Sequence, residues 1–393
     1  MSLPKNWEEK ELGEICDIFG GSTPSRKNER YWSNGNTPWL THEDISGLEI
    51  TKTKQKVTEK ALLECNLPLI PKNSVILSCT ASIGKVCITR IELTTNQQFN
   101  SFVCDKSILP EFLAYSLIYR KPEIENMGGK STFRFINKKT ISKLRIAIPP
   151  ILVQKQIVSI LERAEKLKEK RKQANALTAQ LGQSVFLEMF GNIKTNDKKW
   201  TSMLVEDLFD MKLGKMLSAK NYTGKHLKPY LRNVNVLWGK LDLTDVKQMD
   251  FDDEEFKKYE LKKGDILVCE GGEVGRTATY TGEIKNCGYQ NALHRLRIKK
   301  PLITSEYFIC YMKFASQYGL IAKNSSKVTI AHFTAEKFKK FSLLLPPISL
   351  QKKFSDSYSS LEKIKQFGID SNSQISLLFD SLMQKAFNGE LVS

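Results

Sequence analysis

Hydrogen-bonding side chains in glycine-marked loops are the groups in this chain best suited to chemistry, and they occur in two sets. The first holds Ser22, Thr23 and Ser25 in the stretch GGSTPS, Thr41 after TPWL, Ser82 in TASIGK, Gln97 in TTNQQF, and Lys130 after a glycine pair. The second holds Lys215, Arg232, Asn233, Arg276, Gln290 and Arg295. Asn, Gln and Arg can read base edges, Ser and Thr can reach bases or phosphates, and Lys and Arg neutralise phosphates. These residue types therefore point to recognition of nucleic acid. Catalysis has less to draw on. An amino-methyltransferase needs an Asn/Asp-Pro-Pro-aromatic tetrad to hold a flipped base, whereas this chain offers only Ile-Pro-Pro-Ile and Leu-Pro-Pro-Ile. His42, His226, His294 and His332 lack ligand spacing, the eight cysteines include no CxxC pair, and no acidic-lysine cluster suggests a nuclease metal. No cofactor or metal site is expected.

Composition agrees with a polyanionic partner. The formal net charge is +17 over 393 residues, and each cation placed on a phosphate releases a counterion. No run is long enough to span a membrane, and MSLPKNWEEKEL lacks the apolar core of a signal peptide, so a cytoplasmic protein is expected. Buried free thiols are the expectation for the cysteines.

The two loop sets belong to one plan written twice. Pro149/Pro346, Gln154/Gln351 and Phe190/Phe387 are each 197 residues apart. The first copy runs PPILVQKQIVSILERAEKLKEK to FLEMFGN, and the second runs PPISLQKKFSDSYSSLEKIKQ to MQKAFNGE. Each predicts a long helix, about Val153 to Phe190 in the first copy and about 57 Å long. A heptad seam is expected through Ile157, Ile160, Ala164, Leu167, Ala174, Leu181 and Val185. Its copy runs through Phe354, Leu361, Ile364, Ile375, Leu378 and Leu382. Arg171, Thr178, Gly368 and Ser371 are its polar or small interruptions. Proline pairs mark the helix starts, and Gly191 and Gly389 mark the ends.

Short apolar strands are expected to carry the loops: Glu14 to Phe19, Ser74 to Cys79, Lys85 to Thr89, Leu93 to Val103 and Leu144 to Ile148, with a helix over Pro110 to Arg120. In the second half Val205 to Met211, Asp265 to Cys269 and Ser305 to Lys313 answer them. The framework repeats while the loops diverge. Residues that repeat are better read as framework than as specificity, which applies to Gly84 and Gly275 and to Gln98 and Gln290 as an equivalent pair. Trp7, Trp39 and Trp200 are read as packing anchors. The run Lys166, Lys168, Lys170, Arg171, Lys172 is read as a solvated helix face.

With GGSTP, TPWL, TASIGK, TNQQF, the two PPIxxQK openings and the terminal QKAFNGEL in this order and duplicated, the whole chain resembles the specificity (S) subunits of type I restriction-modification enzymes. The resemblance implies an α/β (α+β) fold of two globular target-recognition domains alternating with two long helices paired as an antiparallel coiled coil, with an internal pseudo-two-fold repeat. The expected boundaries are 1–149 and 193–346 for the recognition domains, and 150–192 and 347–393 for the spacer helices. It implies a non-catalytic subunit that reads a bipartite double-stranded DNA target, one half per domain. Two methyltransferase (M) subunits would carry the S-adenosylmethionine, with restriction/translocase (R) subunits in the full complex. Two rivals compete with this reading: a stand-alone DNA methyltransferase with a built-in recognition domain, and a coiled-coil protein-binding scaffold. The scaffold would need neither the charge nor two diverged loop sets.

Overall fold

The computed structural model describes residues 4, 6–80, 82–128, 135–217, 223–323 and 334–392. Two 40-residue helices, Ile151–Phe190 and Ile348–Phe387, correspond residue for residue at the 197-residue offset. Each begins the same way. The carbonyl of Pro150 accepts the N–H groups of Val153 and Gln154, and that of Pro347 accepts those of Leu350 and Gln351. Each helix then buries its glutamine completely. The Gln154 Oε1 takes the Leu109 N–H at 2.8 Å while its Nε2 donates to the carbonyls of Ser107 and Pro149. Gln351 does the same with the Thr304 N–H and the carbonyls of Leu302 and Pro346. The Pro-Pro pairs and the glutamines thus tie each helix to its globular part. Gly191 and Gly389 follow the helix ends at φ +76°, a left-handed conformation that glycine adopts without strain.

The compact units do not follow chain order. One comprises residues 1–172 with 370–393, the other residues 173–369, so each holds the first half of one long helix and the second half of the other.

In unit 1 a five-stranded sheet runs in the order Cys16–Gly20, Phe99–Cys104, Val75–Ser78, Val86–Thr89, Glu49–Ile50, antiparallel except for the last pair. A three-stranded sheet holds Thr37–Leu40 between Gln55–Val57 and Thr94–Thr95. Glu8–Glu11 pairs with Arg145–Ile148, which delivers the chain to the first long helix. The stretch read as one strand over Leu93 to Val103 is two, because residues 96–98 form a turn between Thr95 and Phe99. Unit 2 repeats the plan with Phe209–Leu213, Leu293–Ile298, Ile266–Cys269 and Thr277–Thr279, and with Leu227–Leu231 between Lys247–Asp250 and Gly288–Tyr289. Thr201–Leu204 pairs with Ser342–Leu345. The central strands VILS, VCIT and ILVC are buried on both faces, as continuous apolar runs require.

Within each unit the helices run antiparallel. In unit 1, Ile157, Val158 and Leu161 share a core with Phe112, Met383 and Ala386. In unit 2, Phe190 lies 5.2 Å from Phe354 between ring centroids, and Asn175 Nδ2 donates to the Gly368 carbonyl. Most of the expected seam is covered: Ile157 and Phe354 are buried, Ile160, Ala164, Ala174, Val185, Leu361, Ile375 and Leu382 are half-buried, and the interruptions Thr178 and Gly368 also lie on the covered face. On the first helix the covered residues include Gln154, Ile157, Leu161, Lys168, Asn175, Thr178, Gly182 and Phe186. Leu167 and Leu181, and on the second helix Ile364 and Leu378, are about half exposed instead. Small and polar residues form the middle of the pair, where the Asn175 side chain packs over the Gly368 backbone. These four apolar side chains of the expected seam therefore face outward.

Trp7 and Trp39 are buried, and six of the eight cysteines are buried free thiols. No helix among the described residues is long and apolar enough to cross a membrane. Among those residues, no group of three or more His, Cys, Asp or Glu could hold a metal ion.

Candidate nucleic-acid interface

Four loops meet at one edge of unit 1. Leu40 pairs in parallel with Thr95, and Ser22 donates its N–H to the Thr95 carbonyl at 3.0 Å. Residues 22–25, 41–44 and 96–98 therefore leave this point side by side. The fourth loop, residues 79–80 and 82–84, joins through the Cys79 N–H to the Gln98 carbonyl at 2.8 Å, and Ser78 Oγ lies 3.4 Å from His42 Nε2. Gly21 permits the close approach, since a Cβ there would stand 2.2 Å from the Asn96 carbonyl oxygen.

Unit 2 builds the same junction with other side chains. Leu231 pairs in parallel with Tyr289, Lys215 bridges Gln290, and the Glu270 N–H reaches the Ala292 carbonyl at 2.9 Å. Gly214 does the work of Gly21, with a Cβ there 2.4 Å from the Gln290 backbone carbon. This geometry corrects one pairing. Thr95 corresponds to Tyr289, so Gln290 corresponds to Asn96, and Gln98 corresponds to Ala292. Asn96 and Gln98 bind each other, the Asn96 Oδ1 accepting the Gln98 N–H at 2.9 Å, and so brace the turn.

The sequence candidates in unit 1 divide by exposure. Thr23 is exposed and donates its hydroxyl to the exposed Gln97 Oε1 at 2.5 Å, which joins two loops. Ser25 and Ser82 are exposed. Ser22 is half-buried and works through its backbone, its carbonyl accepting the Trp39 Nε1–H at 3.2 Å. Thr41 caps a short 3-10 turn, its N–H and hydroxyl both held by Asp44 Oδ2 at 2.8 Å. Lys130 lies outside the described residues, as does His332.

In unit 2, Lys215 is 8% exposed and donates to Glu255 Oε2 at 2.5 Å and to the Asp250 carbonyl. Arg295, 5% exposed, binds Asp210 Oδ2 at 2.7 Å and holds that carboxyl below its usual range. Both charges are compensated inside the unit. Arg232 reaches Asp245 at 2.7 Å and likewise lowers its pKa. Arg276 donates to the Asn233 carbonyl, and Asn233 Nδ2 to that of Gly271, which knits two loops together. Gln290 is half-buried.

Other residues at these edges were not among the contact candidates read from the sequence. The Arg26 guanidinium stacks 3.7 Å from the Trp32 ring centroid. His42 occupies the position of Asn233, and its pKa is lowered by burial and by Lys85. Met216, Leu217 and Val234 are 71%, 59% and 59% exposed, directly beside the polar candidates. Apolar residues default to the core in a sequence reading, so only their place in these loops could have marked them.

Comparison with known proteins supports the architecture. The family described as type I restriction modification DNA specificity domain matches residues 4–178 and 197–375. The chain is 25% identical, over 99% of its own length and 94% of the relative's, to the Type I restriction enzyme MjaIX specificity subunit of Methanocaldococcus jannaschii. It is 31% identical over 41% of its length and 37% of the relative's to the HindI specificity subunit of Haemophilus influenzae. Among solved structures, the type I restriction-modification system S subunit from M. genitalium aligns over 98% of both chains at TM-score 0.59 and 15% identity. A structure from a study of type I R-M complex assembly and conformational transition aligns over 100% of both chains at 0.64 and 16%. These two likenesses show the fold.

Proposed function

The chain belongs to the type I restriction modification DNA specificity family, as a specificity subunit with two target-recognition domains, and from that premise we propose that the four-loop edge of each unit reads one half of a bipartite DNA target. One observation carries this reading: the same junction is built twice on one framework, and the side chains it displays differ. In unit 1 the readers are Thr23, Ser25, Ser82 and Gln97, with Arg26 on its Trp32 platform. In unit 2, Asn233, Arg276 and Gln290 stand beside the apolar Met216, Leu217 and Val234. Apolar side chains in the major groove contact the thymine methyl, so the second half-site contains at least one thymine read in this way.

The subunit is non-catalytic in this reading, and its methyltransferase partners hold S-adenosylmethionine. The Pro-Pro pairs, which a methyltransferase would use beside a flipped base, instead start the long helices. The outward Leu177, Leu181 and Ile364 of unit 2, with Leu167, Leu377 and Leu378 of unit 1, provide docking surfaces for two M subunits, one on each unit. An R subunit joins the assembled complex.

The test uses the full chain with its M subunits. Methylome sequencing defines the target, and Thr23→Ala with Gln97→Ala should relax one half-site only. Replacing thymine by uracil in the other half-site should weaken binding for the natural chain and have no effect for Val234→Ser. Binding without salt dependence, or methyl transfer by the isolated chain, would contradict the proposal.

A further inference from the structure

The 197-residue offset between the helices allows unit 2 to be compared with unit 1 position by position. In unit 1 the Phe379 ring packs against the core, with Lys168 Nζ 5.4 Å from its centroid. Tyr115, 1% exposed, gives its hydroxyl to Glu165 Oε2 at 2.7 Å. The matching hydrogen bonds of Leu109 to Gln154 and Thr304 to Gln351 set Cys310 at the position of Tyr115. The offset sets Gly182 at the position of Phe379, Thr178 at that of Ile375, Glu362 at that of Glu165 and Lys365 at that of Lys168. Two rings are gone from unit 2, while the charged residues around them remain and pair with each other, Lys365 Nζ lying 3.2 Å from Glu362 Oε1. Tyr358, standing where unit 1 has Leu161, recovers part of the volume.

What remains is a cavity of about 140 Å³ lined by Thr178, Gly182, Cys310, Phe314, Tyr358 and Lys365, all within unit 2. A closed apolar cavity of about 150 Å³ accepts benzene; this one has a similar volume, is partly open, and carries polar groups of Thr178, Glu362 and Lys365 in its walls. Burial pushes the Cys310 thiol up to about 12, so that wall is neutral. A Cβ on Gly182 would meet nothing closer than Leu361 Cδ1 at 3.9 Å, so a substituent there has room to grow.

We propose that this cavity binds one aromatic ring of benzene to phenol size, in the place that Phe379 fills in unit 1, with Lys365 against the ring and its polar substituent directed to Glu362. The cation–π contact of Lys168 and the phenol–carboxylate bond of Tyr115 show how unit 1 satisfies the same surroundings. The ring comes either from a free small aromatic molecule or from a side chain of a partner subunit. The site is independent of how the loops read DNA.

Thermal unfolding of the full chain in the presence of phenol, toluene or methylcyclohexane tests it. Phenol and toluene should raise the midpoint saturably, and methylcyclohexane should do so less. Gly182→Phe should melt higher than the natural chain and lose the ligand response. Thr178→Ile, a milder plug carrying the residue of unit 1, should weaken phenol binding severalfold even if Gly182→Phe fails to fold. An equal phenol response in the Thr178→Ile variant, or no saturable response in the natural chain, overturns the site. When binding is seen, its loss on assembly with M subunits assigns the ring to a partner side chain. Its persistence assigns the ring to a free molecule, and both results uphold the cavity as the site.

Discussion

Asp250 accepts the backbone N–H groups of Thr223, Gly224 and His226 at 2.6, 2.8 and 2.9 Å, and the Thr223 hydroxyl at 3.2 Å. Burial alone would push this carboxyl up, but the hydrogen bonds win and bring it down to about 2. A carboxylate whose folded pKa lies below its unfolded value stabilises the fold fully above the unfolded value, about 3.9, and that contribution is lost as pH falls through about 2. Asp250→Asn should therefore be less stable than the natural chain at pH 7, with the difference closing between about pH 4 and pH 2. Denaturant unfolding at a series of pH values checks this, and a gap that stays constant down to pH 2 would count against it. Asp250 also shows where residue-level reading of the sequence stops. Lys215 has the right type in the right loop, yet its ammonium turns inward to the Asp250 carbonyl and Glu255. Thr23 and Gln97, chosen by the same reasoning, face outward. Loop membership follows from glycine and strand patterns, whereas side-chain direction depends on partners 35 and 40 residues further on.

The two long helices were legible almost to the residue, because proline pairs, glycine ends and an internal copy mark them. The face they share was legible in part, since Ile157, Phe354, Thr178 and Gly368 lie on it as expected while Leu167, Leu181, Ile364 and Leu378 do not. A heptad reading rewards apolar residues, and here the middle of the pair is built from a contact that scores poorly: the Asn175 Nδ2 donates to the Gly368 carbonyl at 3.1 Å. A Cβ on Gly368 would stand 2.2 Å from Asn175 Oδ1. Helix propensity alone favours Gly368→Ala by about 1 kcal/mol. The steric conflict should reverse that sign, giving a net loss of about 1–2 kcal/mol as Asn175 is forced aside. Adding Asn175→Ala should remove the conflict and leave the double variant more stable than Gly368→Ala alone. Equilibrium denaturation of the three variants closes the cycle. Additive effects would mean that the two residues do not touch.

At the scale of the molecule, the repeat predicts two readers that can be exchanged separately, and the units show what such an exchange must respect. Unit 1 is closed by the end of the second long helix: Phe387 stacks on Tyr119 at 5.2 Å and lies 5.5 Å from Phe112, and Met383 and Ala386 enter its core. No linear boundary in the sequence discloses this, since residues near 115 and near 387 meet only because the second helix runs antiparallel to the first. Replacing residues 4–148 with the corresponding segment of another family member should change one half-site and leave the other unchanged, because the loops of unit 2 are untouched. It also places foreign residues against Phe387. The exchanged chain should therefore unfold at a lower temperature than one in which residues 370–392 are exchanged as well, while both show the same new half-site. Methylome sequencing with the M subunits reads the half-sites, and thermal unfolding reads the closure. A change in both half-sites would show that the two edges do not read DNA independently. Equal stability of the two exchanged chains would show that the second helix does not complete unit 1.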